Sequence, residues 1–244
     1  MNFEIVKHES QTGCIYLIPS LLGEDAEDSY APSVKEKILD IEFFIVENER
    51  SARRFLRRIS YKKNFDEVKM LKAETDKEFL ADESLLSYLS EGKNIGVISE
   101  AGAPGIADPG AAVVRWAHQH LIKAIPLIGP ASIFLALMAS GLNGQQFCFH
   151  GYLPVQSNER RKKISQLEEE SHRKNQTQIF METPYRNESL LKDLLETLKS
   201  ATLLCIAANI TLSDEFISTW QVSSWKNKVP DLKKKPTIFL ILAQ

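Results

Sequence analysis

The stretch Ile95-Gly96-Val97-Ile98-Ser99-Glu100-Ala101-Gly102-Ala103-Pro104-Gly105-Ile106-Ala107-Asp108-Pro109-Gly110 decides the fold. It opens on an apolar run of strand length, passes through a tight Gly/Pro loop, and leads into a helical pattern over residues 111–120. The same unit follows at once: Ala124-Ile125-Pro126-Leu127-Ile128, then Gly129-Pro130-Ala131-Ser132, then an apolar helical stretch over 133–138. Glycine lets a backbone approach a ligand closely, and proline fixes the shape of a loop. In an open α/β sheet, ligands bind outside the carboxyl ends of the strands, where both loops fall. Either loop alone also reads as an ordinary strand-to-helix turn. Two of them close together, rigid and nearly uncharged, predict two walls of one small-molecule site.

Working outward, apolar runs at 14–19 and 41–46 predict further strands, and residues 34–38, 50–59 and 81–91 predict helices, the last closed by Gly92. Strands alternating with helices at this spacing predict βαβ units on a parallel sheet. The later chain has a different character. Strands at 147–152, 178–181, 203–208, 215–219 and 237–243 are separated by only two clear helices, 160–170 and 190–198. This predicts an α+β domain with a more mixed sheet. The expected organisation is an N-terminal α/β domain over 12–124 and a C-terminal domain over 125–244.

The 244-residue chain is 43% hydrophobic and carries a net charge of -2, enough apolar material for a full core and no global field toward polyanions. Cys14, Cys148 and Cys205 are widely spaced and odd in number, which predicts reduced thiols. Residues 1–12 are too polar for a signal peptide, and no apolar run approaches the ~20 residues of a membrane helix. These features predict a soluble, cytoplasmic protein. There is no GxGxxG after the first strand and no Walker lysine, which argues against a Rossmann dehydrogenase and a P-loop phosphotransferase. The five histidines form no metal-binding pattern; His118 and His120 would point apart on a helix.

The motifs Ile15-Tyr16-Leu17-Ile18-Pro19-Ser20-Leu21-Leu22-Gly23, Ser99 through Gly110, Pro126-Leu127-Ile128-Gly129-Pro130-Ala131-Ser132, Ala139-Ser140-Gly141-Leu142, Gly151-Tyr152-Leu153-Pro154 and Glu182-Thr183-Pro184-Tyr185-Arg186 fall in one order. In that order the chain resembles the tetrapyrrole methylase superfamily. Within it, the chain is most similar to the branch that methylates a ribose 2′-hydroxyl of small-subunit ribosomal RNA. The resemblance implies two α/β domains with S-adenosylmethionine in the cleft between them, no metal, and a homodimer. It implies cofactor contacts at Pro19, Ala101, Gly102, Ala103, Ile106, Ala131 and Ser132, and at Glu182, Asn209, Ile210 and Pro236. The chain departs from the branch in places. Glu24 follows Gly23 where the branch has Asn, Val46-Glu47-Asn48-Glu49-Arg50 replaces Ala-Glu-Asp-Thr-Arg, and the stretch between Ile59 and Asp82 lacks the branch's His-Asn motif. The cofactor side therefore matches the family more closely than the acceptor side. A tetrapyrrole-ring acceptor and a non-catalytic, cofactor-binding relative stand as alternatives.

A hydroxyl acceptor needs a base or a firmly placed hydrogen bond. The carboxylates at strand ends are Glu47, Glu100 and Asp108. Glu47, in a polar cluster, and Asp108 are the catalytic candidates, although an Asp before Pro-Gly at a helix start is also a common cap. Residues 50–63 hold Arg50, Arg53, Arg54, Arg57, Arg58, Lys62 and Lys63 with no acid among them. On a helix, Ala52, Phe55, Leu56 and Ile59 would face inward and Arg50, Arg54 and Arg57 outward, a local basic patch suited to RNA. Tyr185, as a stacking ring, and Arg186, as a partner for an acid or phosphate, complete the expected substrate-binding set.

Overall fold

The computed structural model describes residues 12–23, 30–73, 79, 83–107, 110–225 and 228–244. These fall into two compact units. The first holds the described residues up to Leu21 and from Tyr30 to Pro130; the second holds Leu22, Gly23 and Ala131 to Gln244.

The first unit is built on a five-stranded sheet with strands β1 (Ile15–Ile18), β2 (Phe43–Val46), β3 (Lys69–Lys72), β4 (Ile95–Ile98) and β5 (Ala124–Pro126) in the order β3-β2-β4-β1-β5. Every pairing is parallel. Strands β2 and β4 are buried along their whole length, as expected of inner strands covered on both faces. Helices α1 (Pro32–Leu39), α2 (Glu49–Arg58), α3 (Glu83–Ser90) and α4 (Ala111–Gln119) supply the crossovers. One core joins Ile15, Phe43, Ile45, Ile95 and Val97 of the sheet to Leu85, Leu89, Val113 and Trp116. Each such buried aliphatic side chain contributes roughly 1.5–3 kcal/mol. Helix α2 starts at Asn48, whose side chain accepts from the Arg50 amide at 2.9 Å and the Ser51 amide at 3.3 Å. Its Ala52, Phe55 and Leu56 are buried, and Ile59 just beyond it is buried too.

Two features of the first unit differ from the sequence-based expectation. Strand β3 was not expected, because Lys-Met-Leu-Lys has charged ends and no alternation; register with Phe43–Val46 makes it a strand. Strand β5 pairs with β1, so the chain passes from the first unit to the second after Pro130, not after residue 124.

The second unit carries β6 (Phe147–Tyr152), β7 (Thr177–Glu182), β8 (Leu203–Ala208), β9 (Phe216–Gln221) and β10 (Thr237–Leu242) in the order β6-β7-β10-β8-β9. Only the β6–β7 pair is parallel, so the sheet is mixed. Helices α6 (Ser157–Lys174), α7 (Asn187–Thr197) and the short α8 (Val222–Trp225) cover one face through Ile164, Leu167, Leu190, Leu194 and Trp225. Helix α5 (Ser132–Ser140) packs Ile133, Ala136 and Leu137 against Ile179, Cys205, Ala207 and Leu240 on the other. Helix α8 was also not expected; it is too short to show a helical period. Burial pushes the Cys205 thiol up to about 11, outweighing its hydrogen bond with Thr219, so this thiol is inert packing.

Candidate active site

Strands β4, β1 and β5 lie side by side, and the loops after them are tied together. Ser20 and Gly102 exchange backbone hydrogen bonds of 2.8 and 3.1 Å. The Ser20 hydroxyl donates to the Ser99 carbonyl at 2.7 Å, and the Ser99 hydroxyl donates to the Gly102 carbonyl at 2.6 Å. Gly102 sits at φ +77°, a conformation that favours glycine. The third loop presses on the first: a Cβ on Gly129 would lie 2.8 Å from Cβ of Pro19. Ile106 and Ile128 stay exposed on these loops, Ile128 at 84%. Pro19, Ala101, Gly102, Ala103 and Ile106, all expected at the cofactor, therefore share one braced strand-end surface. Asp108 lies outside the described residues. The adjoining N-cap of α4 is Gly110, with no side-chain capping bond.

A cavity of about 520 Å³ opens beside the ends of β2 and β3, lined by Glu47, Asn48, Glu49, Arg50, Lys72, Ala73 and Glu100. Glu47 follows the fully buried Val46 and is itself half-buried. Glu100 is tied to α2 by the Ser51 hydroxyl, which donates to its Oε1 at 3.2 Å. Lys72 is the residue sequence reasoning missed here: it reaches the cavity only because β3 exists. Next to this cavity an open groove of about 780 Å³ is lined by Glu49, Arg50, Arg53, Arg54, Arg57 and Arg58. Arg50, Arg54 and Arg57 are exposed, as the helical spacing predicts. Arg53 pairs with Glu49 at 3.4 Å. The guanidinium carbons of Arg53 and Arg57 stand 5.7 and 5.2 Å from the Phe65 ring centroid, which pre-orients both side chains.

In the second unit the expected residues gather at the start of β10. Glu182 ends β7 opposite Thr237. Its Oε1 accepts from the Thr183 amide at 2.6 Å and from Nε and Nη2 of Arg186 at 2.9 and 2.6 Å. Its Oε2 is buried with no hydrogen-bond partner. Asn209 follows β8 at φ +49°, and its amide donates to the Pro236 carbonyl at 2.9 Å. The Asn209 side chain donates to both oxygens of Asp214 at 2.9 Å. That bond and one from Lys235 hold the Asp214 carboxyl below the usual range. Ile210 is buried in the core that faces α5, and Ala131 and Ser132 form the N-cap and first turn of that helix. Arg186 is engaged by Glu182, whereas Tyr185 is 84% exposed.

The family model of the tetrapyrrole (corrin/porphyrin) methylases matches residues 23–224. Among curated relatives, the small-subunit ribosomal RNA methyltransferase I of Buchnera aphidicola subsp. Acyrthosiphon pisum is 30% identical over 210 residues, 86% of this chain and 71% of the relative. The protein of the same name from Buchnera aphidicola subsp. Baizongia pistaciae is 27% identical over 238 residues, 96% of this chain and 78% of the relative. Among solved structures, the crystal structure of the methyltransferase CobJ superposes with a TM-score of 0.60 at 17% identity, covering 95% of each chain; that likeness concerns the fold. On the extent of the family match, with the braced strand-end loops and the mixed second sheet in place, the chain is a methyltransferase and belongs to the tetrapyrrole (corrin/porphyrin) methylase family.

Proposed function

We propose that this methyltransferase uses S-adenosylmethionine to methylate a ribose 2′-hydroxyl of small-subunit ribosomal RNA. The observation that carries the reading is the arginine-lined groove on α2, which runs up to the cavity holding Glu47. Curated relatives named for small-subunit ribosomal RNA support the same acceptor over a tetrapyrrole ring.

The residues fit the cofactor. Glu182 presents a buried acceptor oxygen lacking a donor, and S-adenosylmethionine carries an ammonium and ribose hydroxyls that donate. Ile106 and Ile128 offer apolar surface beside strand ends. The bound cofactor supplies an electrophilic methyl on a sulfonium. The chain's part is orientation, exclusion of water, and management of one proton. Glu47 would accept the hydrogen bond of the ribose hydroxyl and take its proton when the methyl passes to that oxygen, the methyl–sulfur bond breaking and the sulfur leaving as a neutral thioether. Arg50, Arg54 and Arg57 hold phosphates, and Lys72 adds a cation to the lining of the cavity. A cytoplasmic homodimer belongs to the same proposal, resting on the family resemblance; light scattering then gives twice the 27.6 kDa chain mass.

The deciding experiment incubates purified protein with the cofactor and small subunits from a strain lacking the enzyme, then maps 2′-O-methylated nucleosides by mass spectrometry. One new 2′-O-methyl nucleoside is expected. Methylation of a tetrapyrrole with none on RNA overturns the proposal. Two variants probe its parts. In Gly129→Val the new side chain collides with the rigid Pro19 ring, and calorimetry shows cofactor affinity reduced by at least about tenfold, about 1.4 kcal/mol, with the circular dichroism of the fold kept. In Arg54→Ala/Arg57→Ala, RNA affinity falls and the slope of log K against log salt flattens by about 1.4, since each lost contact to single-stranded RNA removes ~0.7. An unchanged slope reduces α2 to scaffold.

A further inference from the structure

We propose that Tyr185 and the lysine segment Lys233-Lys234 form a second single-stranded RNA contact, with a base stacked on the Tyr185 ring and flanking phosphates on the two lysines. The inference rests on the RNA reading above and extends it to the second unit.

The two pieces are distant in sequence and are sewn together by backbone. The Lys234 amide donates to the Pro184 carbonyl at 3.3 Å. Asn187, the fully buried first residue of α7, donates from its side chain to the Lys235 carbonyl at 2.7 Å and to the Leu232 carbonyl at 3.4 Å. Leu232 is itself buried in the core. Lys234 adopts φ +60°, a conformation a lysine keeps only when its surroundings over-determine it. The segment is therefore held in place before any ligand arrives, which lowers the entropic cost of binding.

The charge at this place comes from the lysines. Arg186, beside Tyr185 in sequence, is engaged by Glu182, and Lys235 pairs with Asp214 at 3.2 Å. Lys233 and Lys234 are exposed, and among the described residues neither forms an ion pair. The neighbouring acids are Asp231, whose carboxylate accepts from the Lys233 amide at 3.0 Å, and the exposed Glu188. The Tyr185 ring is 84% exposed and contributes nothing to the core. An exposed aromatic face beside two exposed lysines on a pre-set loop is the chemistry of single-stranded nucleic-acid binding, in which bases stack and lysines track the backbone.

The test uses the full chain, fluorescence anisotropy, a labelled oligouridylate, and a matching ribose-phosphate oligomer without bases. Tyr185→Ala is expected to weaken oligouridylate binding roughly 5- to 100-fold and to leave the base-free oligomer unaffected, while Tyr185→Phe restores binding. Lys233→Ala/Lys234→Ala weakens both probes and flattens the salt slope by about 1.4. If these variants match the unaltered protein while Arg54→Ala/Arg57→Ala binds more weakly, the second contact is wrong and the RNA reading stands. If the unaltered protein binds neither probe nor small subunits, both fall together.

Discussion

Glu47→Gln lowers methyl transfer to small-subunit ribosomal RNA by roughly 10²–10⁴-fold, the range a positioned general base contributes, and leaves cofactor affinity where it was. Glutamine keeps the size and one acceptor oxygen of Glu47 but cannot take a proton. The position is well held. Val46 before it is buried in the sheet and Asn48 after it caps α2, so the side chain enters the cavity from a fixed root. The same cavity is lined by the cations Arg50 and Lys72 and by the acids Glu49 and Glu100. The other described carboxylate that sequence reasoning placed at a strand end, Glu100, already accepts from Ser51. Turnover by rapid-quench with saturating RNA and cofactor measures the chemical step, and calorimetry with the cofactor alone provides the control. A variant with near-normal turnover removes Glu47 from the proton-handling role, and the family assignment stays as it is.

Asp193→Ala destabilises the second unit by about 3–5 kcal/mol, the cost of leaving a buried charge without its partner, and lowers its thermal midpoint by roughly 10–20 °C. Asp193 on α7 and Arg160 on α6 each have side chains only 3% exposed. Arg160 donates through Nε to Asp193 at 2.7 Å, through Nη1 to the Val155 carbonyl at 3.1 Å and through Nη2 to the Ser189 hydroxyl at 2.8 Å. Asp193 also accepts from Ser157 and from Arg161. Removing the carboxylate leaves a guanidinium that has no route to water. Arg161→Ala, which removes a solvent-exposed partner of the same carboxylate, has a far smaller effect. The same group sets an acid limit. Burial raises the Asp193 carboxyl, but hydrogen bonds from Arg160, Arg161 and Ser157 outweigh it and hold it below the ordinary 3.8. A carboxyl lowered by folding stabilises fully above its unfolded value and loses that contribution as pH falls through its folded value. The gap between the native chain and Asp193→Ala is therefore constant at neutral pH and narrows only below about 4. Denaturant titrations across that range check both the size and the sign; a gap already closing at pH 6 would contradict the assignment.

Much of the first unit was legible in the sequence because its physics is local. Ile95-Gly96-Val97-Ile98 is apolar throughout, the mark of a strand covered on both faces. The arginines of α2 fall outward because Ala52, Phe55 and Leu56 recur at the helical period. The tight loops after β4 and β5 announce themselves through glycine and proline. Strand β3 was not legible: Lys69–Lys72 has no pattern of its own, and an edge strand is defined by the partner it pairs with. With β3 went Lys72, the cation of the Glu47 cavity.

By itself, the sequence determined the strand-helix alternation, the inward and outward faces of α2, and the residues that identify the family, since each depends on periodicity or on the backbone preferences of glycine and proline. Only the tertiary structure decided which charges are available. The sequence leaves Arg186 as a partner for either an acid or a phosphate, and the register of β7 with β10 decides for the acid by fixing Glu182 at a buried strand end where its carboxylate holds that guanidinium. Asn187 brings Lys233 and Lys234 beside Tyr185 from a distant part of the chain, and α6 meets α7 so that Asp193 neutralises Arg160. Ion pairing and burial are set by distances between residues far apart in the chain, and those distances exist only once the sheets and helices have packed.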